Sequence, residues 1–460
     1  MNPAKKYFGI TFGPIDRVLS YSKSTRSIWA SSYFFSDLAK RIVSPLFWCK
    51  CRFLKPAMRE DMFSQSIMIG VFPDQYVFEG TGEFSSLGAL RELCDGVLKD
   101  LGHRMIECLG LKGISEDQML EFLRRKIKIY VVGFESDAPD EEVVRAVQSM
   151  MTVAECRDTF PDVENRNYLE CLFAKEIPDL KRFFGLDSLV RFDSLPEVAS
   201  HRYVVFVNAD GDNFGKTLAL RPELSGRFRG FSEVLRNEVI AYGGQVFYQG
   251  GDDVSFYVPL FNGKKDVFCL LRDLDLELKK TLEGIQLDDN KPSLSYGVAI
   301  SYEKFPMAET RQRAEALLYE AKNHQQKNCI AWELRKHSGQ TSGGLISKSR
   351  EDEFKSIIDL VSSSFFYGQK FLHSVTFWLK RHEQALRFIL AQNDRETLLW
   401  NFMSNNFNEG VHQQYQEYFR NIKALLVSIT EVDGPEEAID YVHNILRYVE
   451  HIVSVASGDE

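Results

Sequence analysis

Apolar positions along the chain fall into short unbroken runs and helically spaced stretches, and the two alternate in the same order twice. In the first round YFGITFG (7–13) reads as a strand, and 15 to 42 as a helix. SIMIGVFPDQYVFEG (66–80) reads as two β-rich segments around Phe72-Pro73-Asp74. A helical stretch at 85 to 109 and the strand-like IKIYVVGF (127–134) complete that round. The second round opens on YVVFVNA (203–209), a run apolar enough for a buried strand. A helix at about 217 to 241 follows, then QVFYQ and VSFYVPL joined by GGDD, a hairpin whose turn begins with two glycines. A helix at 264 to 284, the strand SLSYGVAISY (293–302), a helix through AETRQRAEALLYEAKNH and the strand CIAWEL end the unit. The shared element order predicts a degenerate duplication of one α+β module.

Between the two rounds, 136–199 is charged and helical in pattern, with EEVVRAVQSMMTVAECRD as its best segment. SGQTSGGLISKSRED (338–352) is small and polar and reads as a linker, and 353 to 456 is nearly free of glycine and proline, as a helical bundle would be. The predicted domains are therefore 1–135, 136–199, 200–337 and 345–460.

Composition narrows the classes. At 460 residues, 44% hydrophobic and 26% charged, this is an ordinary globular chain with room for several cores. A net charge of −9 argues against a protein that coats nucleic acid by bulk electrostatics, although local basic grooves stay possible. No apolar run is long enough for a membrane span, and MNPAKKYFGITFG has neither the apolar core nor the cleavage site of a signal peptide. The eight cysteines are scattered, with no C-x-x-C, as expected of reduced thiols in a cytoplasmic protein.

The chemistry concentrates in the second round. A buried strand ending at Ala209 puts Asp210 at its carboxyl end, where Gly211 relaxes the turn and Asn213, Phe214, Gly215 and Lys216 open the next helix. Free backbone N–H groups at such a helix start attract phosphate. The GGDD turn lies 42 residues on, enough for a crossover helix and one strand. If its hairpin neighbours the first strand, Asp252 and Asp253 meet Asp210. Three such carboxylates repel one another unless divalent cations are present, and magnesium suits carboxylates shared with substrate phosphates. Gly250 and Gly251 permit positive φ and leave room for a nucleotide against the backbone. Lys322, late in a helix, and Lys327, before the closing strand, are placed to grip triphosphate as point charges. As a solvated helix end they would need no ligand at all.

Asp210-Gly-Asp-Asn-Phe-Gly-Lys216, the GGDD hairpin, SYGVAISYEKFP (295–306) and AEALLYEAKNHQQKN (314–328) together resemble the cyclase palm shared by GGDEF diguanylate cyclases and CRISPR polymerases. GGDD rather than GGDEF points to the second group. GPIDRVLSYSKSTRSIWASSYFFSDLAKRI (13–42) is similar to the opening of the first palm in the large subunit of type III CRISPR effector complexes, the III-B kind especially. The residues that carry this are Gly13-Pro14-Ile15, Ser24-Thr25-Arg26, Trp29-Ala30 and Ser32-Tyr33.

The resemblance implies an α+β chain with two ferredoxin-like palm (nucleotide cyclase) domains, an intervening helical region and a C-terminal helical bundle. ATP would bind between the palms, only the second being active. Other subunits of a type III ribonucleoprotein, CRISPR RNA and target RNA would be its partners, with no membrane. Target RNA would switch on synthesis of cyclic oligoadenylates. By position, Asp210, Asp252 and Asp253 would hold two Mg2+ (or Mn2+) ions. Gly211 to Lys216, Gly250, Gly251, Lys322 and Lys327 would contact the nucleotide. The chain departs from the family in having no His-Asp dipeptide, so no DNase activity is expected, and its cysteine spacing does not support a zinc finger between the palms. An extra residue before the closing strand makes Lys327 a looser match than Lys322. Transfer of AMP to S-adenosylmethionine would need the same site. A silent scaffold and a diguanylate-type cyclase are the competing readings.

Overall fold

The computed structural model describes residues 5–22, 25–64, 72–156, 169, 183, 202–221, 224–250, 252–263, 265–285, 291–324, 327–350, 369–407 and 416–457. Most of the predicted 136–199 region, Gly251 and 351–368 lie outside them.

The first unit runs β1 (Lys5–Gly13), α1 (Ile15–Ser20), α2 (Thr25–Trp48), β2 (Arg52–Lys55), α3 (Asp61–Ser64), β3 (Gln75–Glu79), α4 (Leu87–Leu109), α5 (Glu116–Lys126), β4 (Lys128–Ser136) and α6 (Asp140–Glu155). Its sheet has the order β2-β3-β1-β4. The strand beside β3 is thus Arg52–Lys55, and the β-rich stretch expected just before Phe72 lies largely outside the described residues. The helix expected over 15 to 42 is two helices, and the second reaches Trp48. Helix α6 was expected to open a separate helical region. Instead its Val143, Val147 and Met151 pack against Tyr7 and Val77, so the packing of the first unit extends past residue 135.

The second unit repeats the order: β5 (Tyr203–Asp212), α7 (Phe214–Leu220), α8 (Ser225–Ala241), β6 (Gln245–Gly250), β7 (Asp253–Pro259), the ribbon β8 (Phe261–Asn262) and β9 (Lys265–Asp266), α9 (Val267–Thr281), β10 (Ser293–Tyr302), α10 (Met307–Asn323), β11 (Cys329–Arg335) and β12 (Thr341–Ser347). Its sheet order is β12-β11-β10-β5-β7-β6. Central β5 has antiparallel neighbours on both sides, as β1 has in the first unit. Residues 341–347, expected to be part of a linker, are instead an edge strand. Their small side chains have a packing cause, since a Cβ on Gly343 would overlap the Trp332 carbonyl oxygen across the ladder.

Side chains alternate across β5. Tyr203, Val205 and Val207 face α8 and α9, while Val204 and Phe206 share a core with α1, α2 and α10. The first unit therefore covers the opposite face of the second sheet. A C-terminal set of helices, α11 (Gln369–Arg381), α12 (Glu383–Leu390), α13 (Arg395–Asn406), α14 (Gln416–Asp433) and α15 (Pro435–Ser457), joins the α8–α9 core. Tyr448 of α15 donates to Asp266 Oδ2 at 2.9 Å, and that same carboxylate caps α9 through the Cys269 N–H.

Helix α10 lies directly on β10 because Gly297 has no side chain. A Cβ there would overlap the Ala314 carbonyl oxygen and the Leu318 nitrogen, both helix backbone that cannot rotate away. Gly297→Ala should cost at least about 2 kcal/mol, as overpacked sites do. Thermal unfolding checks this, and α10 should tilt enough to misplace the lysine at its end.

Candidate active site

The carboxyl end of β5 is tied to the GGDD turn by register. Asn208 pairs with Ser255 and Ala209 with Val254, and Ser255 Oγ donates to Asn208 Oδ1 at 2.5 Å. One further step along this ladder sets Asp210 opposite Asp253 on the same face. The Gly211 N–H donates to the Asp252 carbonyl at 3.1 Å, closing the corner. Gly211 is required there, because a Cβ would sit 2.6 Å from that of Asp252 and strike the Phe214 ring. The end of β5 that carries Asp210 and the β6–β7 hairpin that carries Asp252 and Asp253 are thus adjacent at one end of the sheet.

Lys322 bridges the corner. Its Nζ lies 2.9 Å from Asp210 Oδ2 and 3.0 Å from Asp212 Oδ1, and it donates to the Gly211 carbonyl at 2.8 Å. Asp212 is buried, and its Oδ2 accepts from Ser293 Oγ at 2.9 Å, Ser295 Oγ at 2.8 Å and the Asn328 N–H at 3.0 Å. Burial alone would raise its pKa. The Ser295 hydrogen bond, the Lys322 charge and the Ser293 hydrogen bond outweigh it and hold the carboxyl below the usual range. Asp212 is therefore an ionised anchor for Lys322. Its contribution to stability is present above the unfolded carboxylate pKa and is lost as pH falls through the depressed folded one.

Asp252 behaves in the opposite way. Burial, and then the negative charge of Asp210, raise its pKa, only partly offset by Lys322 and by Lys55 from β2 of the first unit. A raised folded pKa favours the folded state below the unfolded value, a gain lost as pH rises through the folded pKa. The corner gathers more carboxylates than cations, with Asp210, Asp212 and Asp252 around Lys322 and Lys55. Among the described residues no group of three His, Cys, Asp or Glu side chains is gathered into a ready cage. The donor set nonetheless fits a hard divalent cation, with carboxylate oxygens, excess negative potential and an ammonium already between Asp210 and Asp212. Asp252→Asn should raise the melting temperature of the metal-free protein at neutral pH and abolish the increase produced by added Mg2+. Differential scanning fluorimetry of both proteins with and without Mg2+ checks this, and the Mg2+ effect in the parent should weaken as pH is lowered.

The remaining expected residues divide. Gly250 faces Asp253 across the hairpin, and Gly215 and Lys216 are exposed at the start of α7. Asn213 takes a left-handed φ of 62°, which asparagine tolerates. Phe214 is not a ligand-facing residue, since it is buried with its ring 4.5 Å from that of Phe228. Lys327 is exposed, and what its left-handed turn delivers to the corner is the N–H of Asn328. Asp212 was expected only as part of the 211–216 turn against the nucleotide, and Ser293, Ser295 and Lys55 were not singled out in advance. The D-x-D spacing and the Ser-x-Ser alternation on β10 were signals for the first three, while nothing local marks Lys55.

Two family models match. Residues 203–331 match "Cas10/Cmr2, second palm domain", and residues 7–93 match "CRISPR-associated protein Cmr2, N-terminal". No curated protein matches the chain. Among solved structures, a type III-B Cmr-beta complex bound to cognate target RNA aligns with a TM-score of 0.55 at 11% identity, over 88% of this chain and 78% of that one. The Csm1-Csm4 cassette aligns with a TM-score of 0.56 in complex with AMPPNP (11% identity) and 0.55 with cA4 (12% identity), each over 98% of this chain and 70% of that one. At such identities the likeness is one of fold. No described helix is long and apolar enough to cross a membrane.

Proposed function

The chain is a Cas10-like subunit of the type III CRISPR kind, and on that premise we propose that its second palm joins AMP units from ATP into cyclic oligoadenylates when target RNA binds the assembled particle. What supports this is the corner itself, where Lys322 holds Asp210 at the end of β5 beside the β6–β7 hairpin that carries Asp252 and Asp253. Asp210, Asp252 and Asp253 would hold two Mg2+ (or Mn2+) ions, which supply activation of a 3′-hydroxyl and neutralisation of leaving pyrophosphate.

The chain's own residues position the reaction. Lys322, fixed by Asp212, tethers Asp210. Lys216 and Lys327, both exposed near the same end, are available to triphosphate oxygens. Gly211 and Gly250 keep the backbone low where a nucleotide would lie. Lys55 brings a cation from the first unit, as a nucleotide bound between the palms would require. CRISPR RNA, target RNA and the other subunits of the ribonucleoprotein are the partners of this reading, in the cytoplasm.

The acceptor of AMP is decided by incubating the particle with ATP, with and without S-adenosylmethionine, and weighing the products. An ATP-only product unchanged by S-adenosylmethionine is expected. An adduct mass appearing only with S-adenosylmethionine would shift the assignment to AMP transfer, and turnover of GTP alone would indicate a diguanylate-type enzyme.

A further inference from the structure

A second ion pair of the palm is buried beside the corner. Lys348, in the short 3-10 helix Lys348–Arg350 after β12, is 7% exposed, and its partner Asp275 on α9 is 10% exposed. A buried ion pair is a weak source of stability, because desolvating two charges costs about as much as their attraction returns. Burial indeed pushes the Asp275 carboxyl up, against the opposing charge of Lys348. What the pair does is fix positions.

Lys348 Nζ donates to Asp275 Oδ1 at 2.6 Å and to the Leu294 carbonyl at 2.7 Å. It also lies 4.2 Å from the centre of the Tyr296 ring, and the Tyr296 hydroxyl donates to the same Asp275 oxygen at 3.1 Å. The ammonium therefore joins α9 to the first residues of β10. Leu294 stands opposite Gly211 of β5, and its neighbours Ser293 and Ser295 are the hydroxyl donors to Asp212 Oδ2. The backbone of Lys348 serves the same end. Its N–H donates to the Asn328 carbonyl at 3.2 Å, and the Asn328 N–H donates in turn to Asp212 Oδ2. Lys327 and Asn328 are consecutive left-handed residues, with φ of 47° and 49°, and such a turn persists only where its surroundings hold it. One residue thus ties down the flanks of all three donors to Asp212 described above.

We propose that Lys348, set by Asp275, is a positioning residue of the second palm. It holds Ser293, Ser295 and Asn328 on Asp212, and so keeps Lys322 and Asp210 in the geometry that AMP transfer needs. It acts through Asp212 and not on the substrate. Its kinetic consequence rests on the reading of the second palm as the working site. The hold on the corner does not, and is read without any turnover.

Lys348→Met combined with Asp275→Leu tests it, since an apolar pair leaves no charge buried alone and should unfold close to the parental temperature. In hydrogen–deuterium exchange of the full chain, the amides of Gly211 and Asn328 should exchange at least about tenfold faster, with the middle of β10 unchanged. In the assembled particle with target RNA, kcat for ATP-derived product should fall at least about tenfold while KM for ATP stays within about twofold, as lost alignment does. Asp275→Asn, nearly isosteric, should give the same changes to a smaller extent, and carries the test if the double variant does not fold. Tyr448→Phe removes the buried hydrogen bond to Asp266 at the other end of α9 and controls for general loss of palm stability. It should lower the melting temperature and leave kcat and Asn328 exchange parental. Parental exchange at Asn328 in the double variant overturns the proposal, as does parental kcat with that exchange raised, or an equal loss of kcat in Tyr448→Phe. A parent particle that makes no product from ATP overturns the cyclase reading instead, and exchange alone then decides whether Lys348 holds the corner.

Discussion

Asp252→Ala combined with Asp253→Ala is expected to lower ATP-derived product at least ~10^3-fold while assembly and RNA binding are unchanged. The asymmetry follows from where the two carboxylates lie. The Asp252 contact that closes the corner uses its backbone carbonyl, which alanine retains. Its side chain is held in an unfavourable field by burial and Asp210, so its removal should stabilise the metal-free chain slightly. Product assay and thermal unfolding on one preparation give the expected pair: activity lost, stability kept or raised. Synthesis at the parental rate would falsify the assignment of the second palm as the working site.

Lys322→Met is expected to act on both quantities. It leaves buried Asp212 without its cation, and breaking such a pair costs about 3 kcal/mol. Asp210 also loses its tether, and product formation should fall on the order of 10^2-fold, the scale seen when one preorganised electrostatic contact is removed. Because the Asp212 pKa is depressed partly by Lys322, the variant should lose stability at a higher pH than the parent during acid unfolding. A variant with parental stability but no activity would mean that Lys322 serves only the nucleotide.

The sequence made the second unit legible because its strands are buried, and buried strands read as unbroken apolar runs. SLSYGVAISY coincides with β10, and the GGDD turn with the β6–β7 hairpin. The fold class follows from the same alternation. What was not legible is tertiary. The helical period of α6 identifies a helix but not the sheet it covers, and Arg52–Lys55 is too short and too charged to announce a strand. Gly343 and Gly344 read as linker residues although close approach to β11 is what selects Gly343. At the site, Asp210 and GGDD could be joined by spacing alone. The buried anchor Asp212 needed the serines of β10 and the Asn328 N–H, which reach it across more than 80 residues of sequence. Lys55 arrives from the other unit, and no local pattern predicts that.

The central claim is that target RNA switches on nucleotidyl transfer from ATP at the Asp210–GGDD corner. The most direct measurement is pyrophosphate release and product mass from the assembled particle with ATP and Mg2+, before and after target RNA is added. The account predicts release only after addition, with cyclic 3′–5′ oligoadenylate as the product and one pyrophosphate for each AMP joined. Unchanged ATP in a particle with target RNA demonstrably bound would contradict it.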